Sequence, residues 1–556
     1  MKAKKVYYAD FETTIPNENN EVQVYLWCIV SGKYQKYGTD IESFIELIST
    51  LKGVIYFHNL KFDFSYIHYY CLKNEIPVEI CEKKGQLYSC KLLRVELRDS
   101  LNFLNMSLKD VGKNYCTQYQ KTSIDYEVKE GHSATQEEID YCFNDCRVLE
   151  EGLNNYLKTL EIVLAENNCP HSMKLVRRKL TNAGIAFEAF KELSLFEQCC
   201  PKTTQQQYEL WKRAYHGGIV YSNPKGIVSN VQMIDCNSMY PYIYSTIDMP
   251  YGSPIKLRTW EELEKYKFYI VKVLMKYELK PGYIAIIGGG FTKYGGIEYK
   301  KSSNGEFEEI IICNTDLNLV KQFYKCEIDL VVGWAFETKP EFFKQYSDVF
   351  IKVKNENPSG SVKRAVAKIL LNSPYGKTAM NGLNEIKNWY IDDSINSIKS
   401  EVVGYNLDEE TYQYLPMAIQ ITAGARELLL TTALQIGFDN IYYMDTDSIK
   451  YNASVKTDIV FDGQTLGAWK DEGLCDLFKT IAPKKYVYYC KGKISYTCAG
   501  FNKKVLEEQM HHNQKVTKEQ AIELMHKFDK GLALNCLQSK VVTGGRALIP
   551  ILKEIK

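Results

Sequence analysis

The sequence predicts an α/β domain followed by a larger α+β region, and three observations carry that reading. At 556 residues the chain is too long for a single hydrophobic core and suits roughly two to four domains. Its first 165 or so residues alternate strand-type with helix-type runs. After a turn-rich break, "ENNCPHS" (166–172), strand-and-turn segments group apart from long helical patterns.

Taken in order, "KKVYYADFET", "VYLWCIV", "GVIYFHN" and "LYSCKLLRVELRDS" read as strands. "IESFIELIST" and "TQEEIDYCFNDCRVLEEGLNNYLKTL" have helical periodicity, the second opening on a Thr-Gln-Glu-Glu cap signal. Beyond the break, "VRRKLTNAGIAFEAFKEL" predicts a helix with a basic start, and "GIVYSN" and "VQMIDCNSMY" predict strands. Residues 247–344 are strand and turn, with Gly-rich "IIGGGFTKYGG" and no helix signal before "TDLNLVKQFYK". "SGSVKRAVAKILLNS" is helical, 377–417 is mixed, and the helix "AIQITAGARELLLTTALQIG" leads into a strand ending "YYMDTDS". The basic, tyrosine-rich "APKKYVYYCKGK" follows. No internal repeat appears, which excludes a solenoid.

Composition narrows the class. The chain is 45% hydrophobic and 25% charged, ordinary for a folded soluble protein, and no apolar run approaches a membrane span. The start "MKAKKVYYADFETT" lacks the small-residue cleavage site of a signal peptide. The 17 cysteines are scattered, odd in number and without a CxxC pair, pointing to reduced thiols rather than disulfides or zinc. With 69 basic and 68 acidic residues, the balance weighs against a polyanion partner while permitting local basic patches if acids concentrate at metal sites. The 42 tyrosines offer faces that stack on bases, though most would serve packing in any fold.

Two acid-x-acid pairs stand out. Asp10 and Glu12 lie in "YYADFET", Asp445 and Asp447 in "YYMDTDS". On a strand, each pair projects from one face and repels itself unless something positive intervenes. Chance alone supplies about eight such pairs in a chain with this many acids, and the alternative is a solvated loop just past a strand end, so the surroundings must decide. Asp63 follows the strand "GVIYF", and Tyr141 and Asp145 in "YCFND" share a helix face. Asp10, Glu12, Asp63 and Asp145 make four hard oxygen ligands with neither His nor Cys, a set suited to two Mg²⁺ or Mn²⁺ ions. Two such ions promote phosphodiester hydrolysis, and Tyr141 would orient the attacking water. In the second half, "DCNSMYP" places Asp235 at a strand end, "KILLNSPYG" carries Lys368 on a helix, and "KKY" follows the Asp445–Asp447 pair.

The ordered set DFE, Nx₂FD, YxxxD resembles the Exo I, II and III motifs of DEDD-type 3′–5′ exonucleases. "DCNSMYP", "KILLNSPYG", "YMDTDS" and "KKY" resemble motifs A, B and C and the KxY motif of family B DNA polymerases. "AYHGG" resembles the YxGG/A linker motif and "TAGAR" the Tx₂GR primer-contact motif. "DSLNFL" and "KTSI" resemble exonuclease motifs of the protein-primed subgroup, and the gaps around motif B match its two insertions. The whole chain therefore resembles the protein-primed, phi-29-like family B polymerases of small bacteriophages.

That resemblance implies an RNase H-like exonuclease domain (1–168) and a right-hand polymerase. The hand would comprise palm (169–246 and 418–515), fingers (345–379) and thumb (516–556), with terminal protein region 1 at 247–344 and region 2 at 380–417. It implies template-directed synthesis, protein priming, proofreading, strand displacement, two Mg²⁺ per site with Mn²⁺ as substitute, and dNTP substrates. Asp235, the carbonyl of Cys236, Asp445 and Asp447 would hold the polymerase ions. Ser238, Met239, Tyr240, Lys368, Asn372 and Tyr375 would bind the nucleotide, joined by Lys354, for which a solvated loop lysine is the alternative. Lys121 would assist cleavage. Thr13, His58, Asn59, Phe62, Ser100 and Leu101 would grip single-stranded DNA. Tyr215, Gly217, Gly218, Thr422, Arg426, Lys484 and Tyr486 would contact template-primer DNA, with Lys484 and Tyr486 sharing a strand face. Pro374, at a variable position of motif B, would end its helix just before Tyr375. Partners would be DNA and a terminal protein, in the cytoplasm of an infected bacterium. The alternatives are a relative using ordinary primers, or a nuclease with an inactive polymerase half. The second would require loss of Asp235 or Asp447, and both are present.

Overall fold

Strand alternation organises the first sheet of the chain, whose computed structural model describes residues 5–124, 127–291 and 297–556. Along the strand Val6–Thr13, Tyr7, Ala9 and Phe11 enter one core, and Phe11 meets Phe44 and Phe57 edge-on at 4.8 and 5.3 Å. Tyr8 enters the opposite core, with the helix Gln136–Glu166. Asp10 and Glu12 continue on the face of Tyr8. The sheet has seven strands, and its centre, Val6–Thr13, Gly53–Phe57 and Val95–Asp99, is parallel. The 31-residue helix Gln136–Glu166 starts at a capping box between Thr135 and Glu138, as its cap signal implies.

Three sequence expectations change here. "LYSCKLLRVELRDS" is two strands, Gln86–Leu92 and Val95–Asp99, because Leu93 at φ +54° turns the chain back. The basic "VRRKL" lies outside its helix, which begins at Asn182 after Thr181 caps Gly184. A short helix, Trp260–Leu263, interrupts the insertion where no helix signal was read. The last five residues of "IIGGGFTKYGG", like residues 1–4 of the segment read against a leader, lie outside the described residues.

The second large sheet is antiparallel, seven strands ordered Lys493–Cys498, Lys485–Cys490, Trp469–Ala482, Val228–Cys236, Ser448–Asn452, Ile441–Asp445 and Val220–Ser222. The helix Leu415–Ile436 is buried at every position from Leu415 to Arg426, as expected of a helix surrounded by protein. An antiparallel sheet built on Met249–Leu257, Phe268–Leu279, Glu308–Cys313 and Tyr324–Lys339 forms the insertion. A pair of packed helices, Lys344–Glu356 and Val362–Asn372, follows. The second ends at Asn372, two residues before Pro374, and a 3₁₀ turn, Tyr375–Ala379, takes over.

Two isolated hairpins complete the chain, Leu383–Leu407 and Ala533–Glu554. A lone hairpin is marginal in water, and both dock on the first domain. Trp389 meets His68 edge-on at 5.2 Å and Lys387 pairs with Glu82 at 2.6 Å. At the last hairpin, Val22 donates to the Thr543 carbonyl at 3.0 Å. A Cβ on Gly545 would sit 2.5 Å from the Tyr66 ring, so only glycine allows this approach. Among the described residues no helix is long and apolar enough to cross a membrane.

Candidate active sites

The first site is built on rigid elements. Asp10 and Glu12 come from the central strand, Asp145 from the long helix, and Asp63 from the first turn of the helix Leu60–Lys73 that follows the strand Gly53–Phe57. Asp63 and Asp145 are almost fully buried. Burial, then the charges of Asp63, Glu12 and Asp145, pushes the Asp10 carboxyl well above its usual range. Burial, with Asp99 and Glu12, does the same to Asp63. Burial also raises Asp145, against the opposing pull of Lys121. Lys121 pairs with Asp145 and donates to the Tyr141 hydroxyl at 3.0 Å.

Asp145 Oδ1 is buried without a hydrogen-bond partner, an arrangement that costs free energy unless a ligand completes it. Possible ligand atoms of Asp10, Glu12 and Cys142 lie within 4.8 Å of one another. Burial keeps the Cys142 thiol protonated, leaving carboxylate oxygens as the donors, and these suit a hard divalent cation.

Beside these acids lie the residues expected to hold a single strand. His58 bonds Ser100 Oγ and the Met106 carbonyl, each at 2.9 Å, and burial lowers its pKa to about 4, keeping it neutral. Asn59 adopts φ +73° at the start of the Leu60–Lys73 helix. Phe62 packs on Tyr66 at 5.7 Å, and Thr13 ends the strand after a bulge at Glu12. Sequence reasoning missed Asp99, whose Oδ1 accepts from Asn59 N (3.1 Å) and Leu101 N (2.9 Å), tying the two segments together. An acid ending the strand "VELRD", directly before the "SL" of "DSLNFL", was the available signal.

The second site is built on a turn. Asp445 ends the strand Ile441–Asp445 and pairs with Ser448, so Thr446 and Asp447 form the turn of a hairpin. Strand alternation therefore does not set Asp447, contrary to expectation. It is aimed by the positive φ of Thr446 (+56°) and by its carbonyl accepting from Cys236 N at 2.7 Å. Asp235 lies across from Ser448 in register. Burial, then Asp447 and Glu472, raises Asp235 to about 6, and burial raises Asp447. Asp445 accepts from Tyr443 OH (3.1 Å) and Lys484 Nζ (2.9 Å).

The glycines of "AYHGG" support this turn from behind. A Cβ on Gly218 would lie 2.5 Å from Thr446 Oγ1, and Thr446 N donates to the Ile219 carbonyl at 3.0 Å. The carbonyls of His216 and Gly217 accept from Arg426 Nη1 at 2.5 and 3.0 Å, while half-buried Tyr215 packs against the core. Arg426 was expected at the primer. Instead it is buried and bidentate to Asp316 of the insertion, at 2.9 and 2.5 Å. Thr422 is likewise buried and bonds carbonyls of its own helix. Lys484 sits at φ +58° between two strands, not on the strand face of Tyr486, which packs on Tyr443 at 4.7 Å.

The paired helices supply positive charge. Lys354 is a buried helix residue, not a loop lysine, and its Nζ lies 3.1 Å from Ser238 Oγ. Burial, then Arg364 and Lys368, lowers its pKa. Arg364, overlooked in the sequence, donates to the Lys354 carbonyl. Exposed Lys368 stands four residues beyond Arg364, and Asn372 closes the helix. Tyr240 and Tyr375 stack at 4.6 Å with an 18° interplanar angle. Met239 is buried in the core, so its side chain is withheld from any nucleotide and only its backbone at the helix start is available.

Basic helices beside an acid cluster supply what template-directed phosphoryl transfer requires, charge for a triphosphate and ligands for cations. The fold and site thus define a nucleotide polymerase. The chain belongs to the organellar and viral type B DNA polymerases, whose family model matches residues 46–134 and 127–460. It is 29% identical over 525 residues to the DNA polymerase of Bacillus phage Nf, covering 87% of each chain. It is 28% identical over 572 residues to that of Bacillus phage phi29, covering 92% of this chain and 94% of the other. It is similar along the full length of both chains to phi29 DNA polymerase complexed with primer-template DNA and incoming nucleotide, with a TM-score of 0.84 at 25% identity. The architecture is an exonuclease-type domain followed by palm, fingers and thumb. The protein is a DNA-directed DNA polymerase acting on DNA, and its family implies dependence on divalent metal.

Proposed function

We propose that this polymerase carries two separate catalytic centres, one extending DNA from a terminal protein and one proofreading it by 3′–5′ hydrolysis. The observation that carries the reading is the presence of two carboxylate sets on different sheets, each with its own lysine. Asp235, Asp445, Asp447 and the Cys236 carbonyl would hold Mg²⁺ at the polymerase centre, and Asp10, Glu12, Asp63 and Asp145 at the other. Bound ions would supply the positive charge that activates the attacking oxygen and neutralises the reacting phosphate.

The chain's own residues do the rest. Lys354, Arg364 and Lys368 neutralise the triphosphate, and the Tyr240 ring excludes a ribose 2′-hydroxyl. Tyr375 packs on the nascent pair, and Lys484 passes from Asp445 to the primer backbone. In the exonuclease, Tyr141 orients water and Lys121 steadies the departing charge. His58, Asn59, Phe62, Ser100, Leu101 and Thr13 hold the frayed strand. The domain limits follow those read from the sequence: 1–168 exonuclease, 169–246 and 418–515 palm, 247–344 and 380–417 insertions, 345–379 fingers, 516–556 thumb. An open cavity of about 1120 Å³ lies among residues of the exonuclease, palm, fingers and second insertion, with Lys83, Lys179 and Lys377 in its wall beside acids such as Glu188 and Glu410. It supports a template path in which region 2 encircles the strand. The site of action is the cytoplasm of an infected bacterium.

Incubation with the cognate terminal protein, Mg²⁺ and labelled nucleotide tests the priming claim. Covalent label on that protein is expected, and its absence with ordinary primers still extended would remove protein priming.

A further inference from the structure

Lys450 belongs to none of the motifs above, yet it is a lysine only 6% exposed in the sheet that carries the polymerase acids. Its strand, Ser448–Asn452, runs between the strands that carry Asp235 and Asp445 at their ends, Val228–Cys236 and Ile441–Asp445. Its register partners are Met233 on one side and Tyr443 on the other. Each lies two residues before a catalytic aspartate, so alternation puts Lys450 on the face of Asp235 and Asp445, one step deeper.

Among the described residues Lys450 forms no ion pair. Its Nζ lies 5.3 Å from the Tyr443 ring centroid, 4.9 Å from that of Tyr486, and 3.4 Å from Ser448 Oγ. The ionisable groups facing it include Glu472, Asp445, Asp235 and the thiol of Cys475, with Asp447 and the Tyr443 and Tyr486 rings also within its reach. Tyr443, under the ammonium, donates to Asp445 and accepts the Lys484 backbone N–H at 3.0 Å. An ammonium this deep is costly unless negative charge is near. Carboxylates this crowded are costly without a cation. Lys484 lies half-exposed on a turn and answers Asp445 directly. Lys450 is fixed within the sheet and answers the cluster.

We propose that Lys450 is a built-in counter-cation of the polymerase acids. As a positioning residue beneath Asp235 and Asp445 in the sheet, it keeps the two carboxylates spaced when divalent ions are absent and weakens the site's hold on those ions. The inference rests on the reading of these acids as a cation site.

The test is direct titration of the full-length chain with Mn²⁺, following free Mn²⁺ by electron paramagnetic resonance. An Asp10→Ala/Glu12→Ala background leaves the polymerase site to be read alone. Removing one positive charge from the cluster, as in Lys450→Met, should tighten Mn²⁺ binding about five- to tenfold, whereas Lys450→Arg should stay within about twofold of the parent. Lys450→Gln gives the same readout if the methionine variant does not fold. A merely structural lysine would loosen the site when removed. Unchanged or weaker binding in the neutral variants, with Asp447→Asn abolishing it, would overturn the role of Lys450. Binding that survives Asp447→Asn would overturn the cation-site reading beneath it.

Discussion

The two acid clusters solve one electrostatic problem by different means. In the exonuclease domain the carboxylates ride on a central strand and two helices, and Asp63 and Asp145 are buried within packed cores. In the palm, Asp447 sits in a hairpin turn held by Thr446, Gly218 and Cys236. Secondary structure aims the first set, whereas contacts between distant segments aim the second. The exonuclease site should therefore tolerate remote changes that disable the palm.

The largest expected effect separates the centres outright. Asp447→Asn should lower primer extension by about 10³-fold or more while leaving single-strand degradation within about twofold. Asp10→Ala/Glu12→Ala should do the reverse. Extension and degradation assays on the same preparations decide it, and joint loss in either variant would contradict two independent centres. Next comes Arg426→Met, which strands Asp316 unpaired in the core and should cost about 3–5 kcal/mol in urea unfolding. A cost below about 1 kcal/mol would mean that the ion pair does not hold the insertion to the palm.

Gly218→Ala sharpens the comparison. Its methyl group meets Thr446 at 2.5 Å and should lower polymerisation kcat by about 10- to 100-fold. Exonuclease activity should not change, and Thr446→Gly should restore part of the loss by removing the opposing side chain. Equal damage to both activities would point to general unfolding.

The smallest effect concerns pH. Asp235 is raised from 3.8 to about 6, so between those values the folded chain holds a proton that the unfolded chain has released. Stability then falls as pH rises through that window, and the full cost persists above it. In chelator, Asp235→Asn should melt about 1–3 °C above the parent at pH 7.5, with the gap closing towards pH 4 and shrinking when Mg²⁺ is added. A gap independent of pH would assign the effect to packing.

Much of the chemistry was legible in residue order. Asp10 and Glu12 sat in an alternating strand, and Tyr141 and Asp145 on a helix face, where local periodicity predicts direction. The near-zero net charge weighed against a nucleic-acid partner because composition averages over the surface. The acids concentrated at two sites offset lysines such as Lys354, Lys368 and Lys377, which a sum cannot locate. The pairing of Arg426 was hidden because its partner, Asp316, lies 110 residues away, and no local pattern reports a bond at that separation. Asp99 went unnoticed because its work is done through two backbone amides.

Residue order alone settles the ordered acids, the amphipathic and buried helices, the end of the Val362–Asn372 helix before Pro374, and the two-part plan of the chain. These depend on periodicities of two and 3.6 residues and on the chemistry of side chains, which act locally. It takes the packed chain to put Asp447 in a turn, to bring Lys354 to Ser238, to face Arg426 inward, and to set Lys450 beneath two aspartates. Each of those outcomes depends on which distant segment fills the remaining space, and a buried charge takes the partner that packing brings to it.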